Sequence, residues 1–260
     1  MTTGIQLDPA QRVLITAGAS GIGRFIADRL IANGARVHVC DVSEAALADF
    51  AAAYPNHGTS LCDVAEDDAV DRLFAEATAR LGGLDALINN AGIAGPTGGV
   101  EEIDPAQWRR TLDVCLTGQF LCTRRAVPLL KAAGGGSIIN LSSAAGRYGY
   151  AFRTPYSSAK WGVIGFTQSL AKELGPANIR VNALLPGIIK GPRMEGVIRA
   201  RANQVGVPYE AMEGEYLDRI SLRRMTDPED VAGVVLFLLS TAGRNISGQS
   251  LGIDGNVESL

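Results

Sequence analysis

Histidine is almost missing from this sequence of 260 residues: His38 and His57 are the only two. With so few imidazoles, a metal centre or a histidine base is disfavoured as the source of catalysis. The four cysteines, Cys40, Cys62, Cys115 and Cys122, are far apart and form no C-x-x-C pair, which leaves neither a disulfide framework nor a zinc pattern. No apolar run is long enough to span a bilayer, and Met1 to Gln11 lacks the charged start and apolar stretch of a secretory signal. A cytoplasmic protein with no membrane partner is expected. Long basic runs are also absent and the formal net charge is −3, so nothing is suited to holding nucleic acid. Internal repeats, low-complexity tracts and Pro/Gly-rich linkers are not found, and residues 1–260 read as one domain whose partner is a small molecule.

What is present is a 47% hydrophobic, 20% charged chain, ordinary for a globular protein with a sizeable core. Short Val/Ile/Leu-rich runs alternate with segments of helical period, the pattern of βαβ units feeding a parallel sheet. Seven strands are expected near Arg12–Thr16, Arg36–Cys40, Thr59–Cys62, Ala86–Asn89, Ser137–Leu141, Arg180–Leu184 and Ser250–Ile253. They are continuously apolar, as in Val13-Leu14-Ile15, which points to helices on both faces and an α/β, three-layer αβα sandwich. Cys40, Cys62 and His38 then fill strands. Residues 188–224 break the rhythm and predict a helical insertion at the carboxyl end of the sixth strand, where such excursions cover ligands.

After the first strand comes Thr16-Ala17-Gly18-Ala19-Ser20-Gly21-Ile22-Gly23, running into a helix. A glycine-rich turn at a helix N-terminus offers backbone N–H groups and a positive dipole end to a pyrophosphate. About 20 residues later, Asp41 ends the second strand, where a carboxylate accepts from both hydroxyls of an adenine ribose and repels a 2′-phosphate. Val42, Ser43 and Glu44 follow with no arginine, so NAD is expected over NADP. Asp41 and Ser43 are also candidate caps of the next helix.

Tyr156 and Lys160 are four apart at the start of a helix and so share a face. A phenol is a poor base at neutral pH, but an adjacent ammonium favours the phenolate, and a nearby serine, Ser143, can hold a substrate oxygen.

These segments, with Asn89-Asn90-Ala91-Gly92 and Pro186-Gly187, occur in the order and spacing of the short-chain dehydrogenase/reductase family, which the whole chain closely resembles. The resemblance implies a single-domain Rossmann-type fold with a seven-stranded parallel sheet. It makes Tyr156 the general acid/base, Lys160 the residue that lowers its pKa and holds the nicotinamide ribose, and Ser143 the group positioning the reacting oxygen. Cofactor contacts are implied at Gly18, Ser20, Gly21, Ile22 and Gly23 on the turn, at Asp41, at Asp63 and Val64 near the adenine, at Asn90 and Gly92, and at Pro186, Gly187 and Ile189 facing the nicotinamide. Three positions depart from the family pattern. Ala17 replaces the first glycine of the turn, so the backbone there should avoid conformations that only glycine visits easily. Cys115 replaces an asparagine, a weaker hydrogen-bonding group for a proton relay from Lys160. Gly191 replaces a threonine that binds the nicotinamide carboxamide.

The expected activity is therefore NAD-linked interconversion of a secondary alcohol and a ketone on a small polar metabolite such as a sugar derivative or hydroxy acid. An acyl-chain ketoreductase and a non-catalytic NAD(H)-binding protein are the alternatives. Lys190, Arg193, Arg199 and Arg201 in the insertion, with Arg147 and Arg153 before the tyrosine, can either grip a carboxylate or belong to solvated faces. By the same resemblance the protein is a homo-oligomer, dimer or tetramer, joined through long helices near Pro105–Ala132 and Tyr156–Leu174, with Leu112, Phe120, Phe166 and Leu170 as apolar positions and the C-terminal segment at another interface.

Overall fold

The structure, a computed structural model, describes residue 7 and residues 10–257; most of the segment Met1 to Gln11, expected to carry no secretory signal, and the last three residues of the C-terminal segment lie outside the described residues. Seven strands, β1 (Arg12–Thr16), β2 (Arg36–Asp41), β3 (Gly58–Leu61), β4 (Ala86–Asn89), β5 (Gly136–Leu141), β6 (Ile179–Pro186) and β7 (Ser250–Ile253), form one sheet in the order β3-β2-β1-β4-β5-β6-β7. Every neighbouring pair is parallel. The sequence places each strand within about two residues because a strand buried on both faces is apolar throughout.

Alternate strand residues face opposite layers. Val13, Ile15, Val37 and Val39 pack with Ile26 and Leu30 of helix α1 (Gly21–Ala32), Phe50 of α2 (Glu44–Ala53) and Val231 and Val235 of α9 (Pro228–Leu239). On the other face, Leu14, Leu87 and Ile138 meet Leu73 and Phe74 of α3 (Asp67–Leu81), Ala126 and Leu130 of α5 (Gly118–Ala132) and Leu170 of α6 (Thr154–Leu174). Complete burial of a Leu or Ile side chain stabilises the fold by roughly 1.5–3 kcal/mol, as at Leu14, Ile15, Leu87, Ile88, Ile138, Ile139, Leu184 and Leu185. Cys40 and His38 are buried within β2, and Cys62 is buried just beyond β3.

The expected single helix over Pro105–Ala132 is corrected by the structure. Helix α4 (Pro105–Leu112) passes through a π turn at Asp113–Thr117, where Gly118 N–H bonds to Asp113 O, before α5 begins. Such single wide turns have no strong residue preference to betray them. Within the segment of residues 188–224 lie the helices α7 (Pro192–Val205) and α8 (Tyr209–Asp218). Isolated bridges, Ile189 with Thr226 and Ile220 with Val257, tie its two ends to the body. Among the described residues no helix is long and apolar enough to cross a membrane.

The strand order reverses between β1 and β4. Loops leaving the carboxyl ends of these two strands diverge, and the resulting crevice is where ligands bind in open parallel sheets.

Candidate active site

A cavity of about 480 Å³ opens at that crevice, a volume typical of small-molecule sites. Its walls bring together Ser20, Gly21 and Ile22 from the β1–α1 turn, Asn90 and Gly92 after β4, Ser143, Tyr156 and Lys160 from β5–α6, Pro186, Gly187 and Ile189 after β6, and Met194 and Val197 of α7. Residues widely separated in sequence thus converge on one cavity. Asp41, Asp63 and Val64 are not on these walls.

The turn is built around one carbonyl. Ala17 O and Thr16 O accept from the Asn90 amide at 2.9 and 3.0 Å, and a Cβ on Gly23 would lie 2.1 Å from Ala17 O. Gly23 must therefore be glycine. Gly18 is held away from the cavity by its N–H bond to Cys40 O, pressed against Val39. The expectation for Ala17 is overturned: its φ is +48°, so alanine itself takes the left-handed conformation, at a cost of about 1 kcal/mol. Helix α1 has no side-chain cap, which leaves its first N–H groups for a ligand.

The Asp41 carboxylate is buried, accepting from Ser43 N at 3.2 Å and from the Ser20 hydroxyl at 3.3 Å. Ser43, accepting from Ala46 N, is the cap of α2; Asp41 is not. Asp63 accepts from Ala65 N and pairs with Arg110 of α4, which the sequence did not reveal.

Lys160 is 3% exposed and donates to Leu141 O at 2.6 Å, with its ammonium 5.7 Å from the centre of the Tyr156 ring. Burial pushes the Tyr156 phenol up, but Lys160, Arg193 and a hydrogen bond with Ser143 outweigh it and hold the phenol below its ordinary pKa. Such a phenol gives up its proton more readily than a free one, which suits proton exchange with a substrate oxygen. Two serines that sequence reasoning passed over fix this geometry. Ser142 Oγ donates to Lys160 O at 2.7 Å and Ser157 Oγ to Ala145 O at 2.8 Å, which clamps the first turns of α6 to the loop carrying Ser143.

Cys115, in the π turn, accepts from Ile93 N at 3.4 Å and donates to Ile93 O at 3.5 Å. The thiol therefore binds a neighbouring backbone segment with both of its capacities. A Cβ placed on Gly92 would lie 3.4 Å from Lys160 Nζ and 3.6 Å from Cys115 Sγ, which puts both side chains beside Gly92. Gly191 lines the cavity beside Pro192.

The arginines separate into distinct roles. Arg147 is exposed and donates to Ser250 O; Arg199 and Arg201 stack on Tyr209 and Phe152, and none of the three lines the cavity. Arg193 and Lys190 do line it but are exposed, with Arg193 donating to Gly92 O at 3.2 Å. Arg153 lines it and is 3% exposed. Tyr150 and Tyr216, 66 residues apart, share a hydroxyl–hydroxyl hydrogen bond of 2.6 Å on the same wall. No aspartate or glutamate is among the described residues lining the cavity.

Comparison with known proteins agrees with this geometry. A family model described as enoyl-(acyl carrier protein) reductase matches residues 16–257. A trans-4-hydroxycyclohexanecarboxylate dehydrogenase from Sinomonas cyclohexanicum is 38% identical over 257 residues, covering 95% of this chain and 92% of that protein. Among solved structures, NAD+-bound xylitol dehydrogenase superposes with a TM-score of 0.91 at 27% identity over 95% of this chain and 98% of that one. An actinorhodin polyketide ketoreductase variant with NADPH does so at 0.90 and 30%, over 96% and 98%. The chain belongs to the short-chain dehydrogenase/reductase family and is an oxidoreductase acting on CH–OH groups.

Proposed function

We propose that this enzyme interconverts a secondary alcohol and a ketone on a small polar metabolite, with NAD as its cofactor and Tyr156 as general acid/base. The observation that carries the reading is the lowered phenol of Tyr156, set beside buried Lys160 and Ser143 on the wall of a cavity that also takes in the phosphate-type turn.

The residues fit a dinucleotide. The uncapped first turn of α1 suits a pyrophosphate, and Asp41, with acceptor capacity beyond its two present bonds, suits the adenine-ribose hydroxyls. Asp63 and Val64 would flank the adenine, Asn90 and Gly92 the adenosine-side wall, and Pro186, Gly187 and Ile189 the nicotinamide. When bound, the nicotinamide supplies the hydride acceptor or donor. In oxidation, Tyr156 takes the hydroxyl proton while Ser143 holds the same oxygen; Lys160 stabilises the phenolate that accepts it and binds the nicotinamide ribose. In reduction the phenol returns that proton to the nascent alkoxide. Residues 188–224 act as a substrate lid, with Met194 and Val197 excluding water.

Between a sugar derivative and a hydroxy acid, the 38% identity to a hydroxycyclohexanecarboxylate dehydrogenase favours the acid. A second reading, acyl-chain ketoreduction with NADPH, draws support from the polyketide ketoreductase neighbour, but the buried Asp41 carboxylate opposes a 2′-phosphate. The test is initial rates on hydroxy acids, sugars and simple secondary alcohols with NAD and with NADP, for the wild type and Tyr156→Phe. Turnover with NAD that depends on Tyr156 is expected; faster turnover with NADP on acyl thioesters supports the second reading instead.

We also infer a homo-oligomer, dimer or tetramer, assembled through α5 and α6. Phe120 and Trp161 are 48% and 52% exposed there, large apolar groups that such an interface would cover. Leu170, one of the positions expected at this interface, is buried in the chain's own core, and Leu112 and Phe166 are partly buried. Sedimentation of the Phe120→Glu/Trp161→Glu double variant should show a smaller species than wild type.

A further inference from the structure

We propose that Arg153 is the anion-binding residue of the substrate cleft, and that the substrate is a compact hydroxycarboxylic acid whose carboxylate it grips. The proposal rests on the alcohol/ketone reading above and names the chemistry of the far end of that substrate.

Arg153 is 97% shielded from solvent, by its 3% exposure, yet it lines the cavity. A guanidinium carries five N–H donors. Here one bond is made, from Nη2 to Ala94 O at 2.6 Å, and Nε is buried with no partner. Among the described residues Arg153 forms no ion pair, and the cavity walls hold no carboxylate to neutralise it. A buried charge is ordinarily paired, so the missing counter-ion is expected to arrive with the ligand. The planar guanidinium suits a carboxylate, which it can meet with two parallel hydrogen bonds.

Its position relative to the reacting group supports a compact substrate. Cζ lies 5.1 Å from the centre of the Tyr156 ring and 5.2 Å from that of Tyr150. The Tyr150–Tyr216 pair adds a second donor, because two hydroxyl hydrogens are present and only one lies between the oxygens. In the same cavity Ile188, Met194 and Val197 offer apolar surface for the hydrocarbon frame that joins carboxylate to carbinol. Arg193, exposed and occupied with Gly92 O, is the weaker candidate.

The test compares 4-hydroxycyclohexanecarboxylate with its methyl ester, using wild type, Arg153→Gln and Arg153→Lys. We expect the wild type to prefer the acid, and the acid-to-ester ratio of kcat/KM to fall about 10- to 100-fold in Arg153→Gln, mainly through KM, with partial recovery in Arg153→Lys. Calorimetry with cyclohexanecarboxylate and cyclohexanecarboxamide, with and without NADH, reads the same preference without turnover. It therefore separates failure of this proposal from failure of the assigned reaction. Unfolding temperatures show whether each variant is folded. A wild type that binds acid and amide equally, or an acid-to-ester ratio and binding preference unchanged by Arg153→Gln, overturns the proposal. So does an Arg153→Gln variant whose principal loss is NADH affinity, which would assign the guanidinium to a cofactor phosphate.

Discussion

The ammonium of Lys160 donates to the carbonyl oxygen of Leu141 across 2.6 Å, and the same carbonyl accepts from the Gln119 amide at 3.1 Å. Both lone pairs of the last β5 carbonyl are thereby used to hold the cation and the start of α5. Lys160 is anchored to the sheet, so its charge acts on Tyr156 from a fixed point.

That geometry predicts a pH effect. Burial raises the Tyr156 pKa and Lys160, then Arg193 and Ser143, lower it further than burial raises it. On the proposed mechanism oxidation needs the phenolate, so its rate should rise with pH through this pKa; removing Lys160 would raise the pKa and move the acidic limb to higher pH. Profiles of kcat/KM for Lys160→Met should show that displacement, whereas Tyr156→Phe should lose at least about 100-fold at every pH. A limb that stays in place in Lys160→Met counts against the assignment.

Cys115 predicts two separable effects. Since its thiol bonds to both backbone groups of Ile93, Cys115→Ala should lower stability by about 1 kcal/mol in urea unfolding. Cys115→Asn introduces a stronger donor and acceptor near Lys160 and should speed proton exchange with solvent, seen as a faster oxidation rate. A rate unchanged at every pH would show that no relay passes this point.

Ala17, at φ +48°, is strained where glycine is not. Ala17→Gly should be about 1 kcal/mol more stable than wild type, less whatever the unfolded chain gains in freedom. Gly23→Ala should do the opposite, pushing its new methyl group into Ala17 O and weakening NADH binding measured by fluorescence. Equal stability of wild type and Ala17→Gly would mean that the turn relaxes its strain elsewhere.

Acid should destabilise the protein through His38. Burial lowers its pKa from 6.5 to about 4, with Glu76 opposing and Arg80 assisting, while Nε2 lies 2.8 Å from Ser60 Oγ. The neutral ring is the folded form, so its stabilisation is complete above pH 6.5 and is lost as pH falls to about 4, amounting to ~3 kcal/mol. Urea midpoints for His38→Gln should fall less steeply than those of wild type over this window.

The sheet was legible because burial on both faces writes itself as uninterrupted Val, Ile and Leu, and the turn and Tyr156–Lys160 pair because their chemistry depends on short spacings. The π turn at Asp113–Thr117, the left-handed Ala17 and the pairing of Asp63 with Arg110 were not. Each depends on what a residue meets across the fold rather than on its neighbours in sequence. Arg153 shows this most clearly: in sequence it stood among six basic candidates, and only burial distinguished it from Arg147 or Arg199.

Helices α7 and α8 have a hydrophobic centre of their own, made by Ile198, Ala202, Met212, Tyr216, Ile220 and Val257 with Ile188 beneath. They share none of these buried residues with the two layers that sandwich the sheet. Most changes inside this small unit can accordingly be compensated within it, while the Tyr150–Tyr216 hydrogen bond and the stacking of Arg201 on Phe152 remain its ties to the β5–α6 segment. A chain built this way can drift toward new ligands by ordinary substitution at positions away from those ties, so divergence of selectivity and retention of chemistry become largely separate evolutionary problems.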